Sequence, residues 1–328
     1  MAKLLFLVTS DLHYHDWNKF NADDYRLKAT EKYLKSLIKI SHKNRIPILF
    51  GGDFSHTPEG LTTKVIFRLL AFLRGVCDEY PNFLMLGIDG NHDTSYELSQ
   101  YKPETPTLFK ALSFAFPKNI ISINFTHYQH YDIRVYGIPY LVHNMGFKKT
   151  YQQMINDGYK GDKVLLIHTN LLGAMDPSGF RVKEMDGIPN NMGKFFSPFR
   201  LVLSGHIHKH ADLYKGRIFS IGAPNQQRQS DLGCDMGYME IYDDFSTKLV
   251  SSRMPEFKLY RKDSDIKDDG NFWVKIPEEK NLMKREKGVF TVNTSRVKLA
   301  KKYCRKNNIK SKRRIRELVK VLHKSDEL

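Results

Sequence analysis

The sequence predicts an α/β fold. Short apolar runs end at polar residues, longer stretches between them carry apolar residues at helical spacing, and the two alternate through the first third of the chain. Residues 3–10 (KLLFLVTS) read as a buried strand, because an unbroken apolar run this short suits a strand covered on both faces. Residues 24–44 follow with Leu27, Leu34, Leu37 and Ile38 on one helical face. Residues 46–50 form a second strand, cut off by Gly51-Gly52. The helical period returns over 61–79 through Val65, Leu69, Phe72, Leu73 and Val76, and 83–88 is a third strand. Strands separated by helices in this order pair side by side, with the helices covering the sheet.

The middle of the chain changes character. Segments 120–125, 133–138, 163–167, 200–203, 217–221, 238–242 and 248–252 are short strands bounded by turn residues. Long polar loops are expected over 94–106 and 170–194, a length that usually marks function. Three regions result: 1–254 as the main domain, 255–288 as a short cap or linker, and 289–328 as a basic segment. The last reads as a helical hairpin, 294–304 and 311–323, joined by Asn307-Asn308.

With 41% hydrophobic and 27% charged residues, the 328-residue chain has a globular composition, which excludes wholesale disorder. No apolar run approaches the length of a membrane span, and the first residues lack the pattern of a secretory leader. Cys77, Cys234 and Cys304 are scattered and odd in number, so no disulfide framework is expected and a cytoplasmic location is. The formal charge of +16 is concentrated: residues 280–328 hold 17 Lys and Arg against 4 Asp and Glu, leaving the rest nearly neutral.

Metal-binding residue types recur at strand ends. Asp11-Leu12-His13 follows the first strand, Gly52-Asp53 the second and Gly90-Asn91-His92-Asp93 the third; His168 ends 163–167, and Gly205-His206-Ile207-His208 follows 200–203. Open α/β sheets place their sites just past the carboxyl ends of strands. Residues i and i+2 of an extended segment point the same way, so Asp11 with His13, and His206 with His208, converge. Each pair alone is weak; five in order are a site. Two divalent cations about 3.5–4 Å apart need a shared anionic bridge and mixed oxygen and nitrogen ligands. Asp53 fits the bridge, with Asp11, His13 and His208 around one metal and Asn91, His168 and His206 around the other. Such a set without thiolate suits Mn²⁺, with Fe²⁺ or Mg²⁺ as alternatives, better than structural zinc.

The blocks SDLH, GGD, GNHD, LLIHT and GHIH resemble the D-x-H, G-D, G-N-H-D, H and G-H-x-H pattern of the calcineurin-like metallophosphoesterases, over roughly residues 3–252. The resemblance implies a four-layer αββα fold and a non-ligand catalytic histidine, His92, that protonates the leaving oxygen or steadies the phosphate. Within that superfamily the chain is similar to the SbcD-type nucleases of DNA repair and recombination. Asp53-Phe54-Ser55-His56 supplies that group's second histidine, His56, near the substrate phosphate. The stretch 205–224 matches in layout, and a small cap followed by a helical segment comes in the same order. Residues 225–237 have no clear counterpart, and the short cap looks like the bacteriophage branch.

The resemblance implies a metal-dependent DNA exo/endonuclease acting on duplex ends and single strands, working with an SMC-like (SbcC-type) ATPase docked through the C-terminal helices. It also implies a homodimer formed through helices near residues 66–72. Lys301, Lys302, Arg305, Arg313, Arg314 and Arg316, above an apolar face of 289–328, are the expected contacts to that partner or to DNA, the alternative being a solvated helical hairpin packed on its own domain. The alternative is a phosphomonoesterase or small-nucleotide phosphodiesterase, for which a cationic tail has no evident purpose. His15 and Asp16 are either neighbours of the site or plain loop. His127, His130 and His143 fit no ligand pattern, and Tyr14, Phe54 and Tyr96 are read as packing before base stacking.

Overall fold

The computed structural model describes residues 2–16, 24–56, 61–93, 106–140, 144–179, 181–182, 191–260 and 271–275. The first part of the chain runs β1 (Leu4–Thr9), α1 (Tyr25–Asn44), β2 (Pro47–Phe50), α2 (Thr63–Glu79), β3 (Leu84–Gly87), α3 (Leu108–Ala115) and β4 (Ile120–Ser122). Next come β5 (His127–His130), β6 (Ile133–Ile138), α4 (Asn144–Ile155), β7 (Asp162–His168), α5 (Met192–Phe195), β8 (Leu201–Gly205), β9 (Ala211–Tyr214) and β10 (Ile218–Ser220). β11 (Gly237–Tyr242), β12 (Thr247–Ser251), β13 (Phe257–Tyr260) and β14 (Phe272–Lys275) close the described chain.

Two six-stranded sheets carry the architecture. The first has the order β12-β11-β1-β2-β3-β4 and the second β5-β6-β7-β8-β10-β9. β1 to β4 are parallel, as are β6, β7, β8 and β10; the antiparallel strands lie at the margins. Crossovers through α1, α2 and α3 force the parallel pairing in the first sheet. Thr62 and Thr107 start α2 and α3 by accepting the Val65 and Lys110 N–H groups at 3.3 Å.

Three apolar cores separate four layers. Between the sheets, Phe6, Val8, Leu49 and Leu86 meet Val135, Val164, Leu166 and Leu203, all buried. Leu27, Leu34 and Leu37 of α1 and Val65, Leu69 and Leu73 of α2 cover the outer face of the first sheet. Phe147, Tyr151 and Met154 of α4 cover the second. The layers are therefore helix, sheet, sheet, helix, as the motif resemblance implies.

The structure adds elements that the sequence reading left as connections. Phe147, Tyr151 and Met154 give α4 an i, i+4, i+7 stripe. β5 has no apolar alternation and exists because its backbone pairs with β6. The expected loop over 170–194 contains a Met175–Arg181 bridge and ends in α5; residues 94–105 lie outside the description.

The chain divides into two compact units, residues 1–258 with 266–274, and residues 259–265 with 275–328. Of the second unit only Leu259, Tyr260 and Lys275 are described, so most of the cap and the whole basic segment lie outside the described residues. Cys77 and Cys234 are free thiols. Among the described residues no helix is long and apolar enough to cross a membrane.

Candidate metal centre

The loops leaving β1 and β2 continue the pairing of their strands. Asp11 N–H donates to the Gly52 carbonyl at 2.9 Å, His13 N–H to Asp53 at 3.0 Å and Tyr14 N–H to Phe54 at 2.7 Å. This ladder holds Asp11, His13 and Asp53 in register. All three, together with His206, have left-handed backbone angles, φ 52° at Asp11, 46° at His13, 56° at Asp53 and 87° at His206. Such a conformation is unfavourable for a side-chain-bearing residue and breaks the extended path of the chain at each of these positions. Gly90 makes room for it: a Cβ there would run into the Asp53 carboxylate and main-chain nitrogen.

Two groups of donor atoms result. Asp11, His13 and His208 offer one ligand atom each within 4.8 Å of one another, and so do Asp53, His168 and His206. Asp53 Oδ2 lies 3.4 Å from His168 Nε2 and 3.8 Å from His13 Nε2, between the groups. Asn91 Oδ1 is 3.1 Å from His168 Nε2 and 2.9 Å from His206 Nδ1. His168 is oriented from behind, its Nδ1 bonded to the Gly51 carbonyl at 2.7 Å, and the Asp11 carboxylate is oriented by the His206 N–H at 3.1 Å. All seven residues expected as ligands are thus brought together.

The two histidines outside the ligand set lie beside it. His13 stands edge-on to His92 at 4.9 Å and to His56 at 5.1 Å between ring centres, and His56 and His92 stack in parallel 5.5 Å apart. His13, His56 and His92 form a third group of converging nitrogens. His15 stacks on His56 at 4.9 Å, which makes it a neighbour of the site. Tyr14 and Phe54 are buried in the core, and His127 and His130 are on β5, a marginal strand.

The electrostatics fit cation binding. Burial, then the nearby charge of His168, pushes His206 down to about 3. Burial also takes His13 well below the ordinary range, and together with His15 and His92 brings His56 to about 4. These rings are neutral and carry lone pairs. Burial alone would raise Asp53, but His168 and then His13 outweigh it and hold its carboxyl well below the usual range. Burial would lower His168, yet the Asp53 carboxylate lifts it to about 9. His13 Nε2 and His208 Nε2 face each other at 3.2 Å. Buried carboxylates, an amide oxygen and imidazoles converge, a donor set that could hold divalent cations.

Sequence reading missed three supporting residues. Asp93, fourth in GNHD, is buried and accepts the Ser55 and Gly90 N–H groups at 2.9 Å each; burial, then Asp53 and Asp89, pushes it up to about 8. Gln227 Nε2 donates to the Asp11 carbonyl at 2.9 Å. Asp231 accepts the Gln227 and Arg228 N–H groups and sits 4.0 Å from His208 Nδ1. Gln227 and Asp231 fall within the segment that had no counterpart, where no motif marks them. A cleft of about 720 Å³ opens over the centre, lined by Asp53, His92, His206, His208, Ser178 and Arg228 among others.

A family model described as calcineurin-like phosphoesterase matches residues 4–210. No curated protein matches the chain. Among solved structures it is similar to a candidate 5′-nucleotidase from Staphylococcus aureus, 14% identical with a TM-score of 0.39, covering 75% of this chain and 52% of that one. It spans about half the length of that protein. It is also similar to a dimetal phosphatase from Danio rerio, 10% identical with a TM-score of 0.42, covering 74% of this chain and 94% of that one. A third likeness is to the calcineurin-like phosphoesterase YfkN from Bacillus subtilis, 13% identical with a TM-score of 0.37, covering 76% and 89%.

Proposed function

The chain belongs to the calcineurin-like phosphoesterase family, a family of metal-dependent hydrolases, and from that premise we propose that it is a two-metal DNA nuclease hydrolysing phosphodiester bonds. In this reading Asp11, His13 and His208 hold one cation, Asn91, His168 and His206 the other, and Asp53 bridges them. The donor set favours Mn²⁺, with Fe²⁺ or Mg²⁺ as substitutes. Bound cations supply Lewis acidity toward the phosphate oxygens and lower the pKa of water to near neutrality.

The observation that carries the nuclease reading is the parallel pair of His56 and His92 beside His13, at a centre beneath an open cleft. A phosphodiester releases a strongly basic alkoxide, so its cleavage gains from a positioned proton donor. His92 supplies that proton to the leaving sugar oxygen. His56, held neutral, orients the phosphate through its N–H. Arg228, exposed at the cleft, pairs with a flanking phosphate.

The same reading assigns the protein to DNA recombination and repair as a homodimer working with an SMC-like ATPase. Exposed Ile66, Phe67 and Leu70 on α2 supply the apolar surface for the dimer. Lys301, Lys302, Arg305, Arg313, Arg314 and Arg316 serve the ATPase or DNA; all six lie outside the described residues. Deleting 289–328 separates the two roles, since loss of ATPase binding at unchanged nuclease activity assigns docking, and weakened, less salt-sensitive DNA binding assigns phosphate contact.

The test of function is a panel of linear duplex, single-stranded DNA, cyclic nucleotide and phosphopeptide with Mn²⁺. Degradation of linear duplex from an end, abolished by Asp53→Asn, is expected. Hydrolysis of the small phosphates alone overturns the nuclease reading in favour of a phosphomonoesterase or small-nucleotide phosphodiesterase.

A further inference from the structure

A second concavity is as large as the catalytic cleft. α1 packs on β1, β2 and β3, leaving a groove of about 740 Å³ between its flank and β11–β12. Tyr33, Tyr238, Val250 and Met254 line its floor and walls. β12 ends the sheet, none of its five residues is buried, and among the described residues no strand pairs with its outer edge.

The groove is charged in one sense only. Lys28 and Lys32, one turn apart on α1, and Arg253 across from them are exposed, and among the described residues no Asp or Glu lines the groove. Among the described residues none of these three cations forms an ion pair, whereas Lys35 and Lys64 on the neighbouring helix surfaces do.

We propose that the groove between α1 and β12 docks an extended acidic peptide of a partner protein, which adds to β12 as a further strand. The edge supplies backbone hydrogen bonds, and alternate acidic side chains of an added strand face Lys28, Lys32 and Arg253. The chain's own segments are poor occupants. Residues 261–270 carry four Asp against three Lys and Arg, and residues 280–328 are strongly cationic. A nucleic acid strand would exploit the cations but not the strand edge.

Fluorescence anisotropy of the full chain tests this with a labelled peptide of about ten alternating glutamate and valine residues. Its lysine counterpart and an oligothymidylate serve as comparisons. Saturable binding of the glutamate peptide is expected, falling with salt and weakened about tenfold or more by Lys28→Glu with Lys32→Glu, while DNA hydrolysis is unchanged. Slowed hydrogen exchange over 247–251 on peptide binding is the matching sign of strand addition. The proposal fails if the peptide does not bind, or binds the double variant equally well. It also fails if the substitutions weaken oligothymidylate and not the peptide. Tenfold tighter peptide binding after Asp→Asn changes at 263, 265, 268 and 269 would make the chain's own segment the occupant and overturn it too.

Discussion

The main-chain N–H of His92 donates to Asp53 Oδ1 at 2.8 Å, while Oδ2 of the same carboxylate lies between His168 and His13. The two duties proposed for His92 are therefore separable. Its backbone fixes the proposed bridging ligand, and its ring is the proposed proton donor.

His92→Ala keeps the N–H and removes the ring. Turnover of a DNA phosphodiester is expected to fall by about 10²–10⁴-fold, the size of a lost general acid. Mn²⁺ affinity by calorimetry should stay within about threefold. Asp53→Asn, in contrast, should lose metal and turnover together. Equal metal loss in His92→Ala would remove the assigned role.

Gly90→Ala places a methyl group against the Asp53 carboxylate and its main-chain nitrogen. Neither atom group is a flexible chain end, so Asp53 must move. Overpacking of this kind costs about 1–3 kcal/mol, and the displaced bridge should weaken Mn²⁺ binding by about tenfold or more. Thermal melting and calorimetry on one sample read both effects. A variant that binds metal normally would show that the tight fit at Gly90 is incidental.

Asp157 offers a pH test distant from the ligand set. Its carboxylate accepts Lys163 Nζ and Arg134 Nη1, each at 2.9 Å, and the Tyr136 hydroxyl. Burial pushes its carboxyl up, but Tyr136, Lys163, the Tyr159 N–H and Arg134 together hold it well below the usual range. A folded-state value below the unfolded one gives stability that is complete above pH of about 4 and is lost as pH falls through the folded value. Asp157→Asn should cost about 1–3 kcal/mol at pH 7, discounted for partial exposure. The gap between the two proteins in urea midpoint should narrow between pH 4 and 2, taken as approximate bounds. A constant gap would mean that packing, not charge, carries the effect.

Phe67 is 74% exposed on α2, next to exposed Ile66 and Leu70. If these residues make the proposed homodimer, Phe67→Glu places charges into the interface and yields monomers by sedimentation at concentrations where the parent chain is dimeric. Hydrolysis of short single strands, which needs one centre, should persist. A parent chain that sediments as a monomer at high concentration would retire the dimer.

The sequence made the centre legible because ligands are single residue types at strand ends, and both features leave a pattern. Asp11, His13, His206 and His208 were readable as residue types at strand ends, but not from extended i, i+2 alternation, since Asp11, His13 and His206 are left-handed and His206 and His208 join different donor groups. The buried strands were readable from unbroken apolar runs. Edge strands such as β5 and β9 were not, since their existence depends on a neighbour's backbone rather than on their own side chains. The supporting layer was equally silent. Gln227 reaches the Asp11 carbonyl across 216 residues, and no local spacing encodes such a contact. The stacking of His56 on His92 was likewise visible only once β2 and β3 were side by side.

The left-handed backbone at Asp11, His13, Asp53 and His206 sets stability against activity. At about 1–2 kcal/mol each, four such residues together cost an amount comparable with the whole net stability of an ordinary domain. Glycine or asparagine at these positions would relax the backbone. Selection for heat resistance alone would therefore favour replacing the residues proposed to hold the metals, and a sturdier protein from such a screen would be an inactive one.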